Sequence, residues 1–539
     1  MRRRYDLVWW IASSFLYAKP FCTFAFGGAK HSRRVRLPRR TTTTSSTIQQ
    51  RQQQRHDLCC SSVGNNVVGA DREELARMVL PFLAPERFRL ESPAEALRKG
   101  VWFKLICGAS FEDLPAVRNL AVVYTLAGAD CIDVAAEEAV IEAARDGVVA
   151  ARALAEAIGA PIRAPWLMMS INDDEEDPHF RKAAFDPALC PSDCPRPCEM
   201  VCPTDAIVFP DSIPSSARRM DMVSDLLARN TGGGVLEPRC YGCGRCINVC
   251  PPGIIRAEKY MRSPEVVRRL VAKVDAVEIH TKGDLQRFRR TWEDSVAAAV
   301  DDRRLKLVAV SFPDLGPDTG LAIAAMNAVM SMALDNNNYG DGVKRRDVAD
   351  VGLSCGEEGP GVREVEEEMA EERSDRRKGT GARGESDQEP VLNVWQTDGR
   401  PMSGDITAGA TAACIRLAEK VVATEVLPFG EGQHFVQLAG GTNDRTAPKL
   451  RKRSWLTSPG SLSSPSPFPS DTRRRGIGGV AYGGFARKIV GQALDRLPSG
   501  AGGAGAGRGN KVEEHPQILA SALHEAFLLV EGLKQQRQK

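Results

Sequence analysis

The chain has 539 residues, 42% hydrophobic and 26% charged, enough for at least one large core with appendages. A formal net charge of +3, with no basic stripe in the folded part, argues against nucleic-acid binding as its main business. Fifteen cysteines in so long a chain do not describe a small disulfide scaffold, and eight of them fall in two clusters, which favours metal.

Residues 1–66 read as an address. "MRRRYDLVWWIASSFLYAKPF" joins a basic start to an apolar run from Leu7 to Ala18, shaped like a signal-peptide core and too short to span a bilayer. "KHSRRVRLPRRTTTTSSTIQQRQQQR" follows, rich in Arg, Ser and Thr and free of acidic residues, as transit peptides are. Signal followed by transit predicts import into a plastid, to the stroma. The alternative is an irregular tail or a membrane anchor. No later segment reaches transmembrane length, so no membrane span is expected in the mature chain.

Strands and helices then alternate. "WFKLICGAS" predicts a strand. Ser110, with Asp113 three residues on, opens the helix "FEDLPAVRNLAVVYTLAG", which Gly128 stops. "DCIDVAA" and "PWLMMSIND" predict the second and third strands, with the helix "EEAVIEAARDGVVAARALAEAIG" between them. Ser263 and Pro264 start a helix that leads into "DAVEIHT". "LKLVAVSF", "PVLNVWQTDG", "HFVQLAGGTN" and "GIGGVAYGG" complete eight strands, with helices at "GLAIAAMNAVMSMAL", "AGATAACIRLAEKVV" and "FARKIVGQAL". Eight strand–helix units close an α/β (β/α)8-like barrel of parallel strands. The barrel is expected over 95–185, 259–334, 391–446 and 475–497. Residues 335–390 and 447–474 look like irregular surface insertions, and 498–539 like a Gly/Ala linker and a C-terminal helix.

The remaining segment, 186–258, carries the thiols. In "RCYGCGRCINVCPPG", Cys240, Cys243, Cys246 and Cys250 follow gaps of two, two and three with Pro251 behind. Three further cysteines at fixed offsets arise by chance on the order of 10⁻⁵ of the time at this cysteine frequency, so the spacing is signal. It is the bacterial ferredoxin run, in which the last cysteine ligates the other cluster. A partner run stands upstream in "LCPSDCPRPCEMVCPTDAIVF", with Cys190, Cys194, Cys198 and Cys202 at gaps of three. Pro191, Pro195 and Pro197 forbid a helix there and predict a loop.

Crossed ligation puts Cys190, Cys194, Cys198 and Cys250 on one cluster and Cys202, Cys240, Cys243 and Cys246 on the other. Both are expected to be of the 4Fe–4S type, the first with 3Fe–4S as its alternative, and "CPTDAIVF" echoes "CPPGIIRA" as a pseudo-twofold pair would. Zinc, which favours paired C-x2-C knuckles well separated in sequence, is the competing metal. Cys107, Cys131 and Cys414 sit in apolar runs and read as core thiols.

The module is thus a two-cluster insertion after the third strand, on the C-terminal face where this fold builds its sites. Gly440, Gly441, Gly479 and Gly483 at the seventh and eighth strand ends could offer backbone N–H groups to a phosphate or to FMN, or could be plain turns. His280, Arg400, Ser403 and Asp405 occupy strand ends where catalytic groups stand in such barrels, and each has an ordinary structural explanation as well.

"WFKLICGASFEDLPAVRNLAVVYTLAGADCIDVAA", "DPHFRKAAFDPALCPSDCPRPCEMVCP", "CYGCGRCINVCP", "WQTDGRPMSGDI", "VQLAGGTN" and "GVAYGGFARK" together resemble the light-dependent period modulator (LdpA) family of cyanobacteria and their plastid-bearing relatives, over most of residues 95–495. The resemblance implies an iron–sulfur protein that senses redox state, has redox or signalling proteins as partners and informs the circadian clock. It carries the cluster role onto the eight cysteines and identifies no catalytic residue. A flavin-dependent iron–sulfur oxidoreductase, with electrons passing to a site at the barrel mouth, is the alternative.

Overall fold

A computed structural model describes residues 69–202, 204–209, 234–335, 390–399, 411–429, 433–453, 455–456, 476–498 and 511–534. The leader 1–66, nearly all of 335–390, and Arg400, Ser403 and Asp405 lie outside them.

The strands are β1 (Trp102–Ile106), β2 (Cys131–Ala135), β3 (Trp166–Asn172), β4 (Arg181–Ala184), β5 (Ile207–Val208), β6 (Gly234–Val235), β7 (Arg256–Lys259), β8 (Ala276–His280), β9 (Leu307–Phe312), β10 (Leu392–Asp398), β11 (His434–Ala439) and β12 (Ile477–Tyr482). Eight of them close a barrel in the order β1-β12-β11-β10-β9-β8-β3-β2, every pair parallel. These are the eight strands expected from the alternation. They are short apolar runs because both faces are covered, by helices outside and by the barrel's own filling inside.

Some boundaries differ from the sequence reading, for local reasons. The helix expected from Ser110 begins at Leu114. Asp113 caps it, accepting from the Ala116 N–H at 3.0 Å, while the Ser110 hydroxyl donates instead to the His179 carbonyl at 2.7 Å. A tertiary acceptor took the side chain that a capping box would have used. Residues 447–452, read as part of an irregular insertion, belong to the helix Thr446–Lys452, whose Leu450 is buried. The helix Pro93–Arg98, not anticipated, sends Ala94 and Leu97 against Trp102, Met168, Leu307, Val394 and Phe435 to plug the N-terminal end of the barrel. The C-terminal helix Pro516–Lys534 is anchored at its end by buried Lys534, 2.8 Å from the Asp130 carboxylate. Among the described residues, no helix is long and apolar enough to cross a membrane.

Between β3 and the helix Pro264–Val271 lies the cysteine module. It has two antiparallel hairpins, β4 with β7 and β5 with β6, around a small core of Ala206, Ile207, Phe209, Ile255, Cys198, Cys240 and Cys246. The anticipated internal echo has a physical counterpart. Ile207 and Ile255, each five residues past the last cysteine of its run, are both buried in this core.

Candidate metal centre

Two glycines shape the loop between Cys240 and Cys246. Gly242 and Gly244 hold φ of +74° and +73°, and a Cβ on Gly242 would stand 2.4 Å from the Arg181 carbonyl oxygen. Only a residue without a side chain lets the chain reverse this tightly beside β4. The Arg181 guanidinium fixes the turn by donating to the Gly242 carbonyl at 2.7 Å. In the upstream run the prolines keep most of the chain irregular, but one helical turn forms at Pro197–Met200, with Pro197 at its first position, where its missing N–H costs nothing.

The thiols influence one another electrostatically. Cys190 interacts with Cys194 and Cys250, and Cys198 with Cys250 and Cys190. Cys246 interacts with Cys243, Cys240 and Cys202. Burial, followed by its three neighbouring thiols, pushes Cys246 up to about 12. Burial also raises Cys240, against N–H groups of Ala183 and Gly242 and the charge of Lys182, which favour the thiolate. The Ala183 N–H reaches Cys240 Sγ at 3.3 Å and the Ala206 N–H reaches Cys202 Sγ at 3.2 Å.

Four of the thiols gather round one hollow rather than one point. Thiolates on one tetrahedral zinc, each about 2.3 Å from it, stand about 3.8 Å apart. Among the described residues, no three of the eight thiols have sulfurs all within 4.8 Å of one another. Instead Cys202, Cys240, Cys243 and Cys246 line a cavity with Ala206 and Ile207. Sulfur donors spread round an apolar hollow suit a polynuclear cluster, whose irons are each held by one thiolate.

The wider match agrees. Residues 190–261 match the LdpA Fe-S cluster-binding domain, and residues 270–339 and 351–532 match the Light dependent period A C-terminal domain. Light dependent period A of Synechococcus elongatus is 36% identical over 446 residues, covering 82% of this chain and 94% of that protein. The chain belongs to the Light dependent period A family. Within this family member the cofactor of the module is iron–sulfur, and the module stands on the C-terminal face of the barrel.

The barrel beneath holds what the sequence reading largely missed. Along six of the eight barrel strands the inward residues pass from apolar to polar: Trp102 then Lys104, Cys131 then Asp133, Met168 then Ser170, Ala276 then Glu278, Val394 then Gln396, Phe435 then Gln437. Lys104 Nζ pairs with Glu278 across the lumen and lies 3.4 Å from Asp133, to which Ser170 donates at 2.8 Å. Gln396 donates to Glu278 at 2.7 Å and accepts from Gln437 at 2.7 Å. Burial pushes Asp133 up to about 6 despite Lys104, whereas at Glu278 Lys104 and His280 outweigh burial and hold it at about 2.

His280, flagged from its strand end, joins this network 2.9 Å from Glu278. Lys104, Asp133, Asp177, His179, Glu278 and Asp398 were not flagged. The signal available was a single polar residue inside each apolar strand, in phase with its lumen-facing neighbours.

The four glycines separate on inspection. Gly440 and Gly441 end β11 with φ of +70° and +89°, as a tight turn requires. Gly483 precedes the helix Gly484–Leu494. Gly479 is not at a strand end but inside β12 opposite Trp102, where a Cβ would stand 2.1 Å from the Trp102 carbonyl oxygen. Its bare backbone serves the β1–β12 seam, so it is withdrawn as a phosphate ligand. Cys107, Cys131 and Cys414 are buried core thiols, as expected.

Proposed function

We propose that this chain is a redox-sensing regulatory protein that holds two ferredoxin-type clusters, the first 4Fe–4S or 3Fe–4S and the second 4Fe–4S. It works in the plastid stroma and signals to a protein partner in the light-dependent timing role for which its cyanobacterial relative is named. The observation that carries this reading is the cavity that Cys202 of the upstream run lines together with Cys240, Cys243 and Cys246 of the downstream run. Clusters bound there supply one-electron exchange.

The chain's own part is to connect that centre to the barrel. Lys182, beside Cys240, donates to the Cys240 carbonyl at 3.1 Å, to the Glu237 carbonyl at 2.8 Å and to the Ser110 carbonyl in the loop after β1. The Ser110 hydroxyl in turn holds the His179 carbonyl and accepts from Tyr260 at 2.9 Å. A change of charge at the second quartet thus meets an ammonium that bonds both the module, at Cys240 and Glu237, and the barrel mouth, at Ser110.

The test is anaerobic purification with iron, sulfide and flavin analysis, followed by reductive titration watched by electron paramagnetic resonance. Two clusters require about seven or eight irons, according to whether the first is 3Fe–4S or 4Fe–4S, and about eight sulfides per chain. A sensor keeps redox-active clusters without flavin. Stoichiometric FMN with substrate-dependent turnover would replace this reading with the oxidoreductase one. For the address, a reporter fused to residues 1–66 should enter the plastid, and cytosolic fluorescence counts against it.

A further inference from the structure

Beside the second quartet, where the chain leaves β3 and enters the module, three side chains converge that the iron–sulfur reading does not use. Asp177 and His280 are buried and His179 is half-buried, and one ligand atom from each lies within 4.8 Å of the other two. They are the set of three or more metal-binding side chains that come this close among the described residues. The Asp177 carboxylate stands between the two rings, Oδ1 2.9 Å from His179 Nδ1 and Oδ2 3.7 Å from His280 Nδ1.

A second feature is independent of that convergence. Each imidazole turns its other nitrogen to a carboxylate: His179 Nε2 lies 3.1 Å from Asp398 Oδ2, and His280 Nε2 lies 2.9 Å from Glu278 Oε1. Those carboxylates come from the end of β10 and the middle of β8, and Glu278 is itself held by Lys104 and Gln396. A histidine that binds a metal through one nitrogen is ordinarily oriented in this way, with the second N–H given to a carboxylate. Both Nδ1 atoms are thereby left facing Asp177. Phe180, edge-on to the His280 ring at 5.2 Å, fixes that ring's plane.

We propose that Asp177, His179 and His280 form a mononuclear site for a divalent first-row transition metal, two imidazoles and one carboxylate on one side of the ion, with Asp398 and Glu278 as orienting partners. Such a ligand set suits iron(II), zinc or their neighbours and leaves further coordination positions open. The site is close to the thiols. Ala183, whose N–H bonds Cys240 Sγ, is four residues beyond His179, at most about 14 Å of extended chain.

The experiment uses the full chain, purified anaerobically with its iron–sulfur content, then equilibrated with zinc sulfate and freed of unbound ion. Iron, zinc and sulfide are counted together. One metal ion per chain, zinc or iron, is expected beyond the cluster complement. His179→Ala and His280→Ala should lose it while iron bound with sulfide is unchanged. Asp398→Asn, which leaves all three ligands in place, should weaken zinc binding by about 10- to 100-fold. Should an alanine variant fail to fold, Asp177→Asn keeps the side chain's shape and is expected to lose the ion as well. Equal retention of the extra ion by wild type and all variants overturns the assignment. So does a folded, cluster-loaded wild type that retains none.

Discussion

Strand β12 of the barrel is buried at every position, whereas strand β7 of the cysteine module is exposed or half-exposed at every position. The barrel draws on an apolar core that runs through its strands and surrounding helices, while the module's core is small and counts Cys198, Cys240 and Cys246 among its buried members. A core this size has little apolar area to set against the entropy of ordering its loops. The difference teaches that the barrel rests on apolar burial, while the module has little of it, which is the setting in which bonds from thiols to a cofactor couple folding to metal loading.

The comparison can be broken most severely from the barrel side. Gly479→Val would drive a side chain into the Trp102 carbonyl across the β1–β12 seam. A loss of more than about 4 kcal/mol, or no soluble protein, is expected by denaturant unfolding, because backbone cannot retreat as a side chain can. A variant of near wild-type stability would show that the seam is not closed as described.

Removing iron with a chelator under anaerobic conditions tests the module. Hydrogen exchange should speed up across residues 190–261 while the amides of β1, β2, β3 and β8 to β12 stay protected. Uniform loss of protection would mean that the two regions share one stability.

Single ligands sharpen the picture further. Cys202→Ser should damage the cluster held by Cys240, Cys243 and Cys246, and Cys250→Ser the one held by Cys190, Cys194 and Cys198. If each variant instead loses the cluster of its own sequence run, the crossed arrangement fails.

The smallest effect concerns the barrel's buried acid. Asp133 titrates near 6 in the folded chain against an ordinary 3.8, so between these values the folded state keeps a proton that the unfolded chain has released. Stability attributable to Asp133 therefore falls as pH rises from about 4 to about 6 and is level beyond. Asp133→Asn should remove this slope, read as a difference from wild type in urea midpoints across that range. An unchanged difference at pH 4 and 7 would place Asp133 in a less buried setting.

Much of the architecture was legible because each signal was local. Eight apolar runs separated by helical periodicity pointed to the barrel whatever their exact ends, and the spacing of the cysteines pointed to the module, where Cys202 of one run shares a cavity with Cys240, Cys243 and Cys246 of the other. What stayed hidden was long-range. Ser110 looked like a helix cap because its competing acceptor, the His179 carbonyl, lies 69 residues away. Lys104 and Glu278 are 174 residues apart and looked like interruptions of apolar strands until the barrel closed around them. Gly479 resembled a phosphate-binding glycine because its contact, Trp102, lies on the first barrel strand in the sequence, at the far end of the chain from β12.

Arg487 lies in the helix that follows the last barrel strand. Its guanidinium stacks 4.1 Å over the ring of Tyr241, between Cys240 and Cys243, and donates to the Cys107 carbonyl at 2.7 Å. The first strand's exit, the thiol loop and the closing helix are thus fastened at one point by a residue made late. On the ribosome both cysteine runs emerge long before that helix exists. Tyr241 gains its cover only after more than two hundred further residues have been translated and β12 has paired with β1. The fastening of the thiol loop to the barrel is in this sense completed last, by the chain's far end.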